Sequence, residues 1–510
     1  MKLNLLFRSA VVMALLVVAL RPADAAIRYS VSFEHPEKHV FHVTMTVPVR
    51  GTEVLVALPA WNALYQVRDF AVRVRDVRAV CASATAVPLQ LLQLDKDSWR
   101  IGLSGPCDPE GRNNVEIRYS ILWDDAGPFN SQLNEHHAFV NLAEILMYAP
   151  ARRSEDTQVT FESVPAGWNI ASELAAGPQP GSFVAPSYDS LVDAPVEAGK
   201  FDEFKFESGG AYFRVIVDAA SWNRGHLENA LRRITAYELQ LMGGAPFQEF
   251  AFFFHIGPEA AVGAGGMEHA NSTVIADTSI EGAEVVAAHE FFHVWNVKRI
   301  RPQDLEPVDY TKEQYTRALW FAEGVTDTYS AFTLERTGLW SKRPFYDDLA
   351  SQIEKVQSHP AHEWQSVEES SLDAWYEKYD AYNTPYRSIS YYDKGQIIGD
   401  MLDLAIRDAT NNHRSLDDVF RLMNEKYAKQ GKFYDESKDI RAAVEEVAGK
   451  SFEDFFRRYV SGADEISYND FLGIAGLQLK TYTGFAISEI SQATDRQRRI
   501  REGFLHGSTD

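Results

Sequence analysis

The hydrophobic period of the chain changes once, and that change limits the folds open to it. From residue 27 to about 208 apolar residues fall at every second position. "FHVTMTV" at 41–47 sets Phe41, Val43, Met45 and Val47 on one face and His42, Thr44 and Thr46 on the other. "VEIRYSILW" at 115–123 and "VTFESV" at 159–164 behave alike, with Pro, Gly and Asp between the runs. Short alternating strands punctuated in this way predict a β-sandwich. From about 209 the pattern mixes: "AYFRVIVDA" and "FQEFAFFFHIG" read as strands around a helix over 223–243, and from 281 helices dominate. "KGQIIGDMLDLAIRD" at 394–408 places Ile397, Ile398, Met401, Leu402 and Ala405 on one helical stripe. Ser415 with Asp418 and Ser451 with Asp454 read as capping boxes of two later helices. Strands first and helices after give an α+β, multidomain chain. The expected divisions are 26–208 for the sandwich, 209–479 for a second domain with a mainly helical C-terminal lobe, and 480–510 for an extension or disordered tail.

The first 25 residues read differently. Lys2 and Arg8 precede an apolar run, "AVVMALLVVAL", and "ADA" at 23–25 supplies a small-x-small cleavage site. This is the pattern of a secretory signal peptide cleaved after Ala25, so the mature chain is expected to be periplasmic or secreted, without a membrane span. The net charge is −22; removing a +2 leader leaves −24, which argues against nucleic acid and anionic membranes as partners. An exported chain leaves Cys81 and Cys107 open to pairing, but the sequence does not give their separation.

The chemistry concentrates in "HEFFHVWN" at 289–296. On a helix His289 and His293 leave the same face within about 40°, so their imidazoles can chelate one ion. Glu290 is turned about 100° from His289 and can act on a water at the metal without being a ligand. A catalytic zinc needs three protein ligands and one open position. "WFAEGVTD" at 320–327 offers Glu323 as the third, 30 residues after His293 and after a stretch from Thr311 that reads as helical. Asp327 lies four residues on and could accept the free ring proton of a zinc-bound histidine. The alternative is that Glu323 and Asp327 are an acidic pair on a solvated helix.

"HEFFHVWNVKRIRP", "LWFAEGVTD" and "SYYDKG", in that order, together resemble the glycyl aminopeptidase family of zinc metallopeptidases, gluzincins related to thermolysin. The resemblance covers most of the chain after the leader and is strongest from about 250 to 475. It implies a thermolysin-like catalytic domain in which His289, His293 and Glu323 bind one zinc ion. It also implies Glu290 as the base and Asp327 as the partner of His289. "GGMEHANS" at 265–272, otherwise a glycine turn before a strand, is similar to the segment that grips the peptide N-terminus in related aminopeptidases. That role falls on Glu268, with His269 where relatives outside the family have Asn. Gly265 and Gly266 would let a substrate strand approach closely. Tyr392, before Asp-Lys-Gly, matches the tyrosine that donates a hydrogen bond to the oxyanion, with Tyr391 the competing neighbour. Members of the family commonly carry a C-terminal PDZ domain, and the 31 residues after 479 do not provide room for one.

The expected function is therefore an exported zinc aminopeptidase acting on peptides with a free N-terminus, with small first residues, Gly or Ala, suggested by the family. The alternatives are a zinc endopeptidase of the same fold, or an exported binding protein with a silent site. A dual hydrolase acting on epoxides stands further off.

Overall fold

The computed structural model describes residues 27–508 apart from 49, 63–64, 83–85, 104–106, 108–113 and 483. The expected signal peptide lies outside the described residues. Among the described residues no helix is long and apolar enough to cross a membrane.

The alternating runs form the expected strands. Val40–Pro48 and Asn114–Leu122 pair antiparallel at the middle of an eight-stranded sheet, and Ile27–Ser32 lies beside Val40–Pro48. Val31, Phe41, Val43, Met45, Ile117 and Ile121 point to one side of it. They share a core with Val54, Val56, Trp99 and Ile101 of a three-stranded sheet, so the two sheets enclose a β-sandwich. Cys81 and Cys107 are disulfide-bonded at its edge. A four-stranded sheet, which includes His137–Asn141 and Pro195–Gly199, turns toward the rest of the molecule.

The second domain starts earlier than the boundary at 208. Strand Asp202–Ser208 pairs along its whole length with Ala211–Ala219, so it is the edge of the catalytic sheet and not part of the sandwich. Ala211–Ala219, Glu249–Ile256 and Ser272–Asp277 follow in parallel, with helix Arg224–Met242 crossing between the first two. Gly265–Glu268 runs antiparallel at the far edge. Helix Ile280–Phe292 packs on this sheet, and helices Val325–Arg336 and Tyr391–Ala409 build the lobe opposite. An aromatic cluster ties the halves together: Phe292 packs on Tyr329 (ring centroids 4.2 Å) and on Phe420 (5.1 Å).

Three local expectations change. Residues 311–318 are irregular, because groups distant in sequence bond their backbone. The Glu436 carboxylate accepts from Arg317 N–H (2.7 Å), and Trp375 Nε1–H donates to the Gln314 carbonyl (3.1 Å). Ser415 N–H donates to the Asp418 carboxylate (3.0 Å) as a capping box requires, whereas near Ser451 it is Glu445 that accepts from Phe452 N–H (2.8 Å). Residues after 480 form a packed extension rather than a disordered tail. Ala486–Glu489 pairs with Leu477–Lys480, and helix Asp495–His506 buries Ile500, Phe504 and Leu505 in the main core.

Candidate active site

His289 and His293 sit at the C-terminal end of helix Ile280–Phe292, whose N-terminus is capped by Ser279 accepting from Gly282 N–H. Glu323 arrives on a π-helical turn, Trp320–Gly324, at the start of the next helix. Such widened turns are frequent at functional sites. Here Gly324 meets Gly395 backbone to backbone: a Cβ on either would collide with the other helix, so two glycines bring Glu323 and the Tyr391–Tyr392 segment together.

The three expected ligands converge. His289 Nε2 and His293 Nε2 are 2.9 Å apart, and Glu323 Oε2 lies 3.5 and 3.2 Å from them. The other ring nitrogens fix the tautomers. His289 Nδ1–H donates to Asp327 (2.6 Å), and His293 Nδ1–H donates to the carbonyl of Asn296. Both acceptors lack a proton to give, so in neutral rings the two Nε2 atoms carry lone pairs facing each other. Two acceptors cannot hydrogen-bond, so a cation fits between them, and two imidazoles with one carboxylate are a donor set that suits zinc. The electrostatics agree. Burial would lower the His293 pKa, but the Glu323 carboxylate overrides it and raises it to about 9. Burial works upward on Glu323, yet His293 and His289 hold it well below the usual carboxylate range.

Glu290 is 5% exposed and faces the same cavity. Burial pushes its carboxyl up to about 7, with His289 and His293 pulling the other way. Gly266 has a further role: the space where its Cβ would stand is filled by the Glu290 carboxylate, so this glycine makes room for that side chain. Gly265 leaves ordinary contact distance, 3.5 Å, to Phe129. Glu268 ends the edge strand, and its carboxylate, that of Glu290 and a His293 nitrogen all lie within 4.8 Å of one another. Its loop is anchored from the first domain, where Asp193 accepts from Ala270 N–H (3.1 Å) and Lys298 (2.8 Å). Tyr392 stacks on His289 with centroids 6.3 Å apart, and Tyr391 lies beside Tyr392 at 4.8 Å; both line the cavity.

Several site residues escaped the sequence reading. Tyr65, Gln66 and Phe129 reach the cavity from the first domain, and Glu377 from an irregular stretch; none carries a local pattern that could have marked it. Asn296 did have a signal, as the last letter of "HEFFHVWN". Its buried side-chain amide donates to the carbonyl of Phe321 (2.7 Å) and to Thr326 Oγ1 (3.0 Å), while its main-chain carbonyl accepts from His293 Nδ1–H. It thus ties the histidine helix to the Glu323 turn. Asn296→Ala is expected to cost about 2 kcal/mol of stability through unsatisfied buried acceptors. It should also weaken zinc binding roughly 10-fold. Thermal melts and zinc titration check both.

An HExxH helix followed by a helix that supplies a glutamate ligand defines the gluzincin class of metallopeptidase. Comparisons with known proteins agree. The peptidase M61 N-terminal domain matches residues 28–200, and M61 glycyl aminopeptidase matches residues 283–398. The chain belongs to the M61 glycyl aminopeptidase family. Among solved structures it is similar to an aminopeptidase N family protein from Idiomarina loihiensis, with TM-score 0.82 and 23% identity over 89% of this chain and 79% of that one. An M1 zinc metallopeptidase from Deinococcus radiodurans gives 0.52 and 16%, over 87% and 94%. Legionella pneumophila aminopeptidase A in complex with aspartic acid gives 0.51 and 15%, over 86% and 49%. At these identities the likeness is one of fold. Comparison with curated proteins returns no match.

Proposed function

We propose that this chain is an exported zinc aminopeptidase that removes small N-terminal residues, Gly or Ala, from peptides. The observation that carries the reading is the pair of facing Nε2 lone pairs closed by Glu323. His289, His293 and Glu323 would hold a zinc ion, which when bound would supply Lewis acidity and lower the pKa of water at the site. Glu290 takes the proton of that water and hands it to the leaving amine; its pKa near neutrality suits both transfers. The Tyr392 hydroxyl donates to the developing oxyanion. Glu268 accepts charge-assisted hydrogen bonds from the substrate ammonium, which sets the first peptide bond at the reacting centre. The Cys81–Cys107 disulfide supports the exported reading, since such bonds persist in oxidising compartments.

One observation favours the endopeptidase as second reading. A cavity of about 300 Å³, lined by Tyr65, Met267 and Glu268 on one side and Arg153, Asp193 and Lys298 on the other, adjoins the site. It offers space past Glu268. Glu268→Ala separates the two: an aminopeptidase should lose about 10- to 100-fold in kcat/KM on free-amine peptides, the scale of a lost charge-assisted contact. An endopeptidase should be indifferent to the change on blocked peptides.

A further inference from the structure

Outside the HEFFH site, a second group of ligating side chains lies where the two domains meet. His137 and Glu197 come from paired strands of the four-stranded sheet, and Asp218 and His255 sit opposite each other on neighbouring parallel strands of the catalytic sheet. Phe139 and Ala171 of the first domain pack with Ile216, Ala251 and Phe253 of the second, and this apolar patch borders the cluster.

The donors are compact. His137 Nδ1 is 3.0 Å from Glu197 Oε1 and 3.2 Å from Asp218 Oδ2, and His255 Nε2 is 2.9 Å from Glu197 Oε2. A tetrahedral zinc with bonds near 2.0–2.1 Å sets its donors roughly 3.3 Å apart. The spacing matches that of the catalytic set, 2.9–3.5 Å. The far nitrogen of His137, Nε2, faces the Gln132 carbonyl oxygen at 3.0 Å. A ring that donates there turns its Nδ1 lone pair toward two carboxylates. In that arrangement a cation between them, a second proton on the ring or a metal, removes the repulsion; with the Gln132 amide turned to donate instead, Nδ1–H donates to Glu197. Glu197 is 1% exposed, and such a buried carboxylate is costly without neutralisation. Gly199 gives His137 its place, since a Cβ there would stand 3.0 Å from the His137 Cβ.

We propose that His137, Glu197 and His255, with Asp218 beside His137, form a second, structural site for a divalent transition metal of the zinc class, clamping the N-terminal domain to the catalytic sheet. Two imidazoles and the Glu197 carboxylate supply three converging donors, and the Asp218 carboxylate beside His137 adds the second negative charge that balances a divalent ion. Gln132 orients the His137 ring from behind.

The test is metal counting on the full chain, stripped with chelator and re-equilibrated in buffered low zinc. Two zinc ions per wild-type chain are expected, one in His289→Ala/His293→Ala, and one in His137→Gln/His255→Gln. In the first double variant, stripping its remaining zinc should still lower Tm. One ion in the wild type and none in His289→Ala/His293→Ala would overturn the proposal and leave a proton-bridged ion-pair cluster. Because that double variant leaves the cluster untouched, the result stands even if the His137/His255 variant does not fold.

Discussion

Glu290→Gln is expected to keep the catalytic zinc and to lose about 10³-fold in kcat, the usual range for removing a positioned acid–base group. The reasons are geometric. Glu290 follows His289 on the helix but is outside the converging set of His289, His293 and Glu323. An amide fits the same space beside Gly266 and keeps the contact to Thr273 Oγ1 (3.4 Å). It cannot accept the proton of the attacking water. The structure also contains an overlapping donor set, Glu268, Glu290 and His293. Loss of zinc in Glu290→Gln would assign the metal to that set, and substantial activity in the variant would remove Glu290 from the chemistry.

Glu323→Ala should abolish measurable turnover by a different route. It deletes the anionic ligand and leaves two imidazoles alone in a buried site. The variant is expected to carry one zinc fewer per chain than the wild type, with an affinity loss beyond the roughly 10- to 100-fold typical of an outer partner such as Asp327. The fold should survive, because the turn is held by Asn296, Ser371 and the Gly324–Gly395 contact rather than by the carboxylate. Metal content and circular dichroism on the same sample separate ligand loss from unfolding. Retention of full zinc occupancy would show that Glu323 is not a ligand.

The strands and the long helices were legible because their side chains repeat with the period of the element. Ala211–Ala219 and Arg224–Met242 follow the sequence reading closely. The convergence of His289, His293 and Glu323 was legible because a metal site would fix both residue type and spacing. Legibility failed where partners lie far apart in sequence. The irregular residues 311–318 are held by Trp375 and Glu436, which no local pattern foretells. The final helix looked like a tail because its Arg and Gln residues outnumber its apolar ones. Yet Ile500, Phe504 and Leu505 suffice to dock it, and Arg336 and Arg407 bond its carbonyl end. The further role of Gly266 was not legible because its neighbour Glu290, 24 residues on, becomes adjacent only in the fold. The cluster of His137, Glu197, Asp218 and His255 draws one residue from each of four strands and has no motif at all.

The central claim is a zinc site that reads a free N-terminus. Hydrolysis of glycyl p-nitroanilide beside its N-acetylated form, on chelator-stripped protein with and without added zinc, tests it most directly. Zinc-dependent cleavage of the free form alone is the predicted result. Comparable cleavage of both forms would contradict the aminopeptidase assignment, and cleavage unaffected by stripping and restoring zinc would contradict the metal mechanism itself.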